Sequence, residues 1–220
     1  MDDAYILSHV DHTLLSAAAS RADIDKLCEE AVRFGTASVC VPPCYVKHIR
    51  EAYPGLRICA VIGFPLGYSP TPVKAAEAKI AIADGADELD MVINITDVKN
   101  GAFENIETEI AELRKIAERQ ILKVIIETCY LTEQEKITLC RIVTSAGADY
   151  IKTSTGLGTA GATMEDVLLF KEHVGPGVLI KAAGGIRSRE DMAAFLEAGC
   201  SRLGTSSAVK LLTGGKADAY

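Results

Sequence analysis

Ser145-Ala146-Gly147-Ala148-Asp149-Tyr150-Ile151-Lys152 joins two kinds of periodicity within eight residues. Up to Gly147 the apolar residues recur at helical spacing, and beyond it they run together as in a buried strand. A glycine at such a junction takes the left-handed backbone that closes a helix at least cost. The same joint recurs around Arg33-Phe34-Gly35-Thr36, Ala83-Asp84-Gly85-Ala86 and Glu197-Ala198-Gly199-Cys200, each followed within a few residues by an apolar run. A chain that passes repeatedly from helix to strand through one short turn builds an alternating α/β fold.

Working outward, the helices carry their own signals. Ser20 reads as an N-cap before the stripe Ile24, Leu27, Cys28, Ala31 and Val32, and Ile106, Ile110, Leu113 and Ala117 form a second stripe on a charged helix. Thr132-Glu133-Gln134-Glu135 reads as a capping box, with Ser188 and Asp191 a weaker version. A helix is expected after Pro72, with Ala76, Ile80 and Ala83 on its apolar side. Short apolar runs at about 7–12, 36–41, 57–63, 87–93, 121–127, 149–153, 178–182 and 201–205 are the strand candidates. No hairpin signal joins them, so the sheet is expected to be parallel. Eight strand-helix units in 220 residues favour a single-domain TIM (β/α)8 barrel over an open doubly wound sheet. The first strand also lacks the Gly-x-Gly-x-x-Gly turn that a dinucleotide-binding sheet would carry.

Composition narrows the classes of function. A formal charge of -7 and a pI near 5.2 argue against nucleic-acid binding, which calls for a basic surface. An anionic small molecule would instead need local lysines and backbone amides. The seven cysteines are odd in number, scattered and mostly set in apolar runs, as in reduced cytoplasmic proteins. Cys40-Val-Pro-Pro-Cys44 has a spacing suggestive of a metal, but no second Cys/His pair completes it, so neither a metal nor another cofactor is expected. Met1-Asp2-Asp3 lacks the basic start of a signal peptide, and no run approaches the roughly twenty apolar residues of a membrane span. A cytoplasmic protein without a membrane partner is the expectation.

In such a barrel the reactive groups lie at the C-terminal ends of the strands. Lys152 and Lys181 both end apolar runs. Either alone reads as a solvated or salt-bridged strand terminus. Together, on neighbouring strands, they suggest a Schiff-base lysine and a companion cation that favours its neutral amine. Asp90 interrupts the run Leu89-Asp90-Met91-Val92, either as a structural ion pair or as a general acid and base acting through water. Asp11 is open to a similar role, to binding a substrate hydroxyl or to capping the first turn. Gly184-Gly185 and Gly204-Thr205-Ser206-Ser207 follow the seventh and eighth strand candidates, where barrels often hold phosphate, though glycines there also simply make tight turns.

The motifs Tyr150-Ile151-Lys152-Thr153-Ser154-Thr155-Gly156 and Ile180-Lys181-Ala182-Ala183-Gly184-Gly185-Ile186-Arg187 resemble those of the deoxyribose-phosphate aldolases, class I aldolases with a TIM-barrel fold. The resemblance extends to Asp11-His12-Thr13-Leu14-Leu15, Val39-Cys40-Val41, Leu89-Asp90-Met91-Val92, Lys123-Val124-Ile125-Ile126-Glu127-Thr128, Gly204-Thr205-Ser206-Ser207 and a terminal Tyr220. It implies reversible cleavage of 2-deoxy-D-ribose 5-phosphate to acetaldehyde and D-glyceraldehyde 3-phosphate, in deoxyribonucleoside catabolism. By position, Lys152 resembles the Schiff-base lysine, Asp90 and Lys181 the proton-relay pair, and Tyr220 a C-terminal tyrosine that assists proton transfer. Asp11, Thr155, Gly156, Gly184, Gly185, Gly204, Ser206 and Ser207 correspond to substrate-binding positions. The implied partners are a phosphosugar and aldehydes, with a homodimer or higher homo-oligomer left open.

One departure is Leu157, which stands where some relatives place a lysine near the phosphate. That implies tolerance for unphosphorylated aldehydes. The domain is taken to span 1–220, with a tail from about 213 that is polar enough to be flexible. Cys40, near the site by the strand count, is a candidate for addition to an unsaturated aldehyde, against the ordinary reading of a core cysteine. Two alternatives remain: another phosphosugar aldolase on the same barrel, and a noncatalytic phosphometabolite-binding barrel.

Overall fold

The computed structural model describes residues 1–215. Eight parallel strands close in sequence order: β1 (Val10–Thr13), β2 (Ser38–Val41), β3 (Ile58–Ile62), β4 (Glu88–Val92), β5 (Ile121–Ile125), β6 (Tyr150–Lys152), β7 (Leu179–Ala183) and β8 (Arg202–Thr205). Pairing of Val10 with Leu203 and of Asp11 with Gly204 shuts the barrel. All eight strand candidates are present, so the chain is a TIM barrel in one domain.

Among the described residues ten α-helices surround the sheet. They are α1 (Asp3–Leu7), α2 (Arg21–Phe34), α3 (Val46–Ala52), α4 (Thr71–Ala83), α5 (Ile95–Lys99), α6 (Phe103–Ile116), α7 (Glu133–Ser145), α8 (Met164–His173), α9 (Arg189–Ala198) and α10 (Ala208–Leu212). The capping residues act as the sequence suggests: Ser20, Thr132 and Ser188 each form reciprocal capping boxes. The glycines of the four joints, Gly35, Gly85, Gly147 and Gly199, all have positive φ.

Three local expectations fail. The first strand starts at Val10 rather than near residue 7, because Ile6 and Leu7 belong to α1, which Asp2 caps by accepting from the Tyr5 amide. On α4 the predicted apolar side is the wrong one. Ala76 and Ala83 are exposed and Ile80 is 62% exposed, while Lys74, Ala75, Ala78 and Ala81 face inward. An alanine-rich helix has little apolar contrast to orient it, and here a buried ion pair between Lys74 and Glu109 at 2.7 Å fixes the face instead. Val32 on α2 likewise turns outward, while the rest of its stripe is buried.

The apolar core is a shell between sheet and helices. Alternate strand residues, such as Leu89 and Met91, Leu122 and Val124, Ile151, Ile180 and Leu203, point outward into it and meet Ile106, Ile110, Leu113 and Phe170 from the helices. Each fully buried side chain of this size contributes roughly 1.5–3 kcal/mol. The residues between them, Glu88, Asp90, Lys123, Lys152, Lys181 and Arg202, therefore point into the barrel.

Candidate active site

Residues in register on adjacent parallel strands face the same side of the sheet. Lys152 pairs with Lys181, and Lys181 with Arg202, which aims three cations inward from β6, β7 and β8. Asp90 on β4 lies beside Lys123 on β5. The Asp90 carboxylate is the hub: its Oδ2 accepts from Lys152 Nζ at 2.7 Å and from Lys181 Nζ at 2.6 Å. Its Oδ1 accepts from Lys123 Nζ at 2.8 Å and from the Cys59 thiol at 3.1 Å.

A deeper layer supports this hub. Asp11 accepts from Lys181, from Arg202 at 2.6 Å and from the Ser38 hydroxyl at 2.7 Å. Glu88 meets Lys123 at 2.6 Å and Arg202 at 3.1 Å. The interior thus packs the cations Lys123, Lys152, Lys181 and Arg202 with the anions Asp11, Glu88 and Asp90, all of them buried. Ions removed from water this completely persist only when paired and hydrogen-bonded.

The pairings dictate the protonation states. Burial pushes the Asp90 carboxyl up, but Lys123, Lys152 and Lys181 outweigh it and hold Asp90 well below the usual carboxylate range. Burial also opposes ionisation of Asp11, and Lys181, Lys123 and Arg202 reverse the balance. For Lys181 burial disfavours the ammonium, yet Asp11 and Asp90 raise its pKa above that of an ordinary lysine. Lys123 is raised in the same manner, by Asp90 first among its partners. Lys181 is therefore a standing cation, linked to Lys152 through a shared oxygen.

Above this network lies a cavity of about 290 Å³. Lys152 opens onto it, together with Thr155, Gly156, Gly184, Gly185, Gly204, Ser206 and Ser207. Leu157 and Arg187 also line it. Two loops make its floor by backbone contact: a side chain at Gly161 would overlap the Gly184 carbonyl, and Ala162 donates to the carbonyls of Ala183 and Gly184 at 3.1 Å. Gly156, Gly184 and Gly185 take left-handed backbones in this seam.

The predicted site residues therefore divide by depth. Lys152 and the loop residues face the cavity, whereas Asp90, Lys181 and Asp11 lie in the ionic layer beneath and do not line it. Tyr220 and the tail from 216 onward lie outside the described residues. Cys40 is 1% exposed on β2, in register with Cys59, and is not part of the cavity wall. Cys44 is exposed on the short turn after β2, so it shares no ligand set with Cys40. Two groups among the described residues bring three potential metal ligands together, Cys40, Cys59 and Asp90, and Asp11, Cys59 and Glu88, and in both the carboxylates already pair with lysine or arginine.

Sequence reasoning assigned no role to Lys123, Glu88, Arg202 or Cys59. Part of the signal was present: Lys123 interrupts Ile121-Leu122-Lys123-Val124 as Asp90 interrupts its own run, and two-residue alternation places Glu88 with Asp90 on the inner face.

A family model for the DeoC/LacD family aldolases matches residues 5–213. The chain is 58% identical to a deoxyribose-phosphate aldolase of Clostridium botulinum (strain Alaska E43 / Type E3) over 221 residues, 100% of both chains. It is 58% identical over 209 residues to a deoxyribose-phosphate aldolase of Clostridioides difficile, covering 94% of this chain and 95% of that one. Among solved structures, the deoxyribose phosphate aldolase of Aeropyrum pernix, described as a unique tetramer, superimposes with a TM-score of 0.90 at 35% identity, covering 96% and 91% of the two chains.

Proposed function

The chain belongs to the DeoC/LacD family of aldolases, and from that premise we propose that it cleaves 2-deoxy-D-ribose 5-phosphate reversibly to D-glyceraldehyde 3-phosphate and acetaldehyde, through a Schiff base on Lys152. The observation that carries this reading is the position of Lys152: alone among the four cations of the barrel interior, it opens onto the cavity. With all four protonated, these groups carry one more positive than negative charge. Schiff-base formation needs a neutral amine, and Lys152 is the amine that faces the cavity.

The neutral Lys152 amine attacks the C1 aldehyde of the open-chain sugar, and loss of water gives an iminium. Removal of the C3 hydroxyl proton lets the C2–C3 bond break, its electron pair flowing into the iminium to form an enamine. Glyceraldehyde 3-phosphate departs. Protonation of the enamine at C2 and hydrolysis then release acetaldehyde and restore Lys152. Asp90, ionised and bonded to both Lys152 and Lys181, is suited to pass protons between these groups, directly or through water. The iminium acts as the electron sink that a metal supplies in other aldolases.

The phosphate end is assigned to Gly156, Gly184, Gly185, Gly204, Ser206 and Ser207, with Thr155 beside them and Asp11 supporting from below. Tyr220 is assigned proton transfer at the acetaldehyde carbon on the strength of the family resemblance. The same reading includes a role in deoxyribonucleoside catabolism in the cytoplasm and assembly as a homo-oligomer. No helix among the described residues is long and apolar enough to cross a membrane.

Borohydride reduction in the presence of 2-deoxyribose 5-phosphate, followed by peptide mass spectrometry, tests the assignment. A stable adduct on Lys152 is the expected result. No adduct would favour a barrel that binds phosphometabolites without chemistry, and an adduct confined to Lys181 would reverse the roles of the two lysines.

A further inference from the structure

We propose that Glu127 is a positioning residue whose buried carboxylate holds the loop after β6 in place beside Lys152, and so sets affinity for the phosphate end of the substrate. This rests on the activity proposed above.

Six carboxylates are buried among the described residues: Asp11, Glu88, Asp90, Glu109, Glu127 and Asp166. Five of them have a lysine or arginine partner: the three of the barrel interior, Glu109 with Lys74, and Asp166 with Lys136 at 2.5 Å. Glu127 makes no such ion pair, although it is only 2% exposed. Burial accordingly pushes its pKa up, against the opposing pull of Thr155 and of Lys152. A buried carboxylate without a cation is costly, and a fold carries one where it holds something.

What it holds is the loop. Both carboxylate oxygens accept from the Thr155 amide, at 3.1 and 3.2 Å. The Thr155 hydroxyl accepts in turn from the Leu157 amide at 3.0 Å, which shapes the turn at Gly156. A Cβ placed on Gly158 would lie 3.2 Å from the Glu127 carboxylate and 2.9 Å from Cys129 Sγ, so the loop rests directly on these two side chains. A Cβ on Gly156 would meet Gly184 Cα at 3.6 Å, which carries the support on to the turn after β7.

The backbone of Glu127 is itself unusual. With φ of 54° it is the one residue other than glycine with a positive φ among the described residues. Such a conformation in a non-glycine residue is uncommon and clusters at functional sites. Glu127 does not line the cavity, so its effect on the substrate runs through the loop that it holds.

The experiment compares Glu127→Ala and Glu127→Gln with the unaltered enzyme on 2-deoxyribose 5-phosphate and on 2-deoxyribose. Borohydride trapping of acetaldehyde on Lys152 is measured alongside. Loss of the acceptor in Glu127→Ala leaves a buried amide unpaired, and should raise KM for the phosphorylated sugar on the order of tenfold or more. Trapping of acetaldehyde, which has no phosphate, should change less than about threefold, and Glu127→Gln, which keeps an amide oxygen, should recover most of the affinity. Gly158→Ala provides an independent variant in case Glu127→Ala does not fold, because its methyl group lifts the same loop. It should show the same selective loss, relieved by adding Cys129→Ala.

Equal losses for both sugars and for trapping, or no loss in either set of variants, would overturn the positioning role. Absence of a Lys152 adduct in the unaltered enzyme would overturn the Schiff-base reading first, and the two failures are thereby separate.

Discussion

Lys152 and Lys181 donate to one and the same oxygen, Asp90 Oδ2, at 2.7 and 2.6 Å. Neither lysine needs to touch the other. A single carboxylate oxygen couples the group that would become the iminium to a cation that stays charged.

Asp90→Asn should therefore damage both chemistry and fold. Without its charge, the lysines of the hub lose their common anion, and destabilisation of about 3–5 kcal/mol is expected for breaking buried pairs of this kind. Loss of proton transfer should lower kcat by about 10²–10⁴ fold. Urea unfolding and steady-state kinetics on the same preparation check both. An enzyme of undiminished kcat would remove Asp90 from the mechanism.

Lys74→Met tests a buried pair that does not line the cavity. It strands Glu109, whose carboxyl is already pushed up by burial despite Lys74. A stability loss of about 3–5 kcal/mol with kcat unchanged per folded molecule is expected. Replacing Glu109 by Gln as well should recover part of it, since no unpaired charge then remains. A double variant as unstable as the single one would contradict this account.

The pH dependence of stability follows from the ionic layer. Asp90 and Asp11 have depressed folded pKa values, so their contribution is present above the unfolded carboxylate value of about 4 and is lost as pH falls through the folded values. Lys181 and Lys123 are raised, so theirs is complete below the unfolded lysine value of about 10.4 and is lost as pH rises through the folded ones. Denaturant midpoints should vary little from this cluster between about pH 5 and 9 and fall outside that window. Asp90→Asn should flatten the acid limb, and an unchanged slope there would show that other carboxylates govern it.

Leu157 is half exposed on the cavity wall. Leu157→Lys should increase the preference for phosphorylated over unphosphorylated sugar by about tenfold, the scale of one charge-assisted hydrogen bond. The ratio of kcat/KM for 2-deoxyribose 5-phosphate and 2-deoxyribose measures it. No change would mean that the backbone amides already saturate the phosphate.

Removing Tyr220 should slow deuterium exchange on acetaldehyde while leaving the reducible Lys152 adduct intact. Proton NMR follows the first and mass spectrometry the second. Exchange at the original rate would end the case for that residue.

The fold was legible because each repeated unit carries its own punctuation: the glycines at 35, 85, 147 and 199 stop helices, and the runs beyond them are strands. Lys152, Lys181 and Asp90 were legible because an ionisable group within an apolar run is conspicuous. Lys123 carries the same mark but went unassigned, since both faces of its strand are buried and inner and outer residues look alike in a run, while Glu88 and Arg202 open their strands next to polar residues and so read as solvated ends. The role of Glu127 was hidden for another reason. Nothing in the letters Ile126-Glu127-Thr128 announces the left-handed turn at Glu127 or the loop after β6 that packs against it.

Asp11 finds its two hydrogen-bonded cations very late along the chain: Lys181 lies 170 residues downstream and Arg202 191. During vectorial synthesis the first strand therefore emerges with a carboxylate whose hydrogen-bonded counter-ions appear only when almost the whole polypeptide has left the ribosome, Lys123 at 3.6 Å being the earlier cation of its surroundings. Closure of the ring between β1 and β8 is expected as the last event, with the earlier units already collapsed. Pulsed hydrogen exchange during refolding would report it as delayed protection of the amides of residues 10–13, and simultaneous protection of all eight strands would show concerted closure instead.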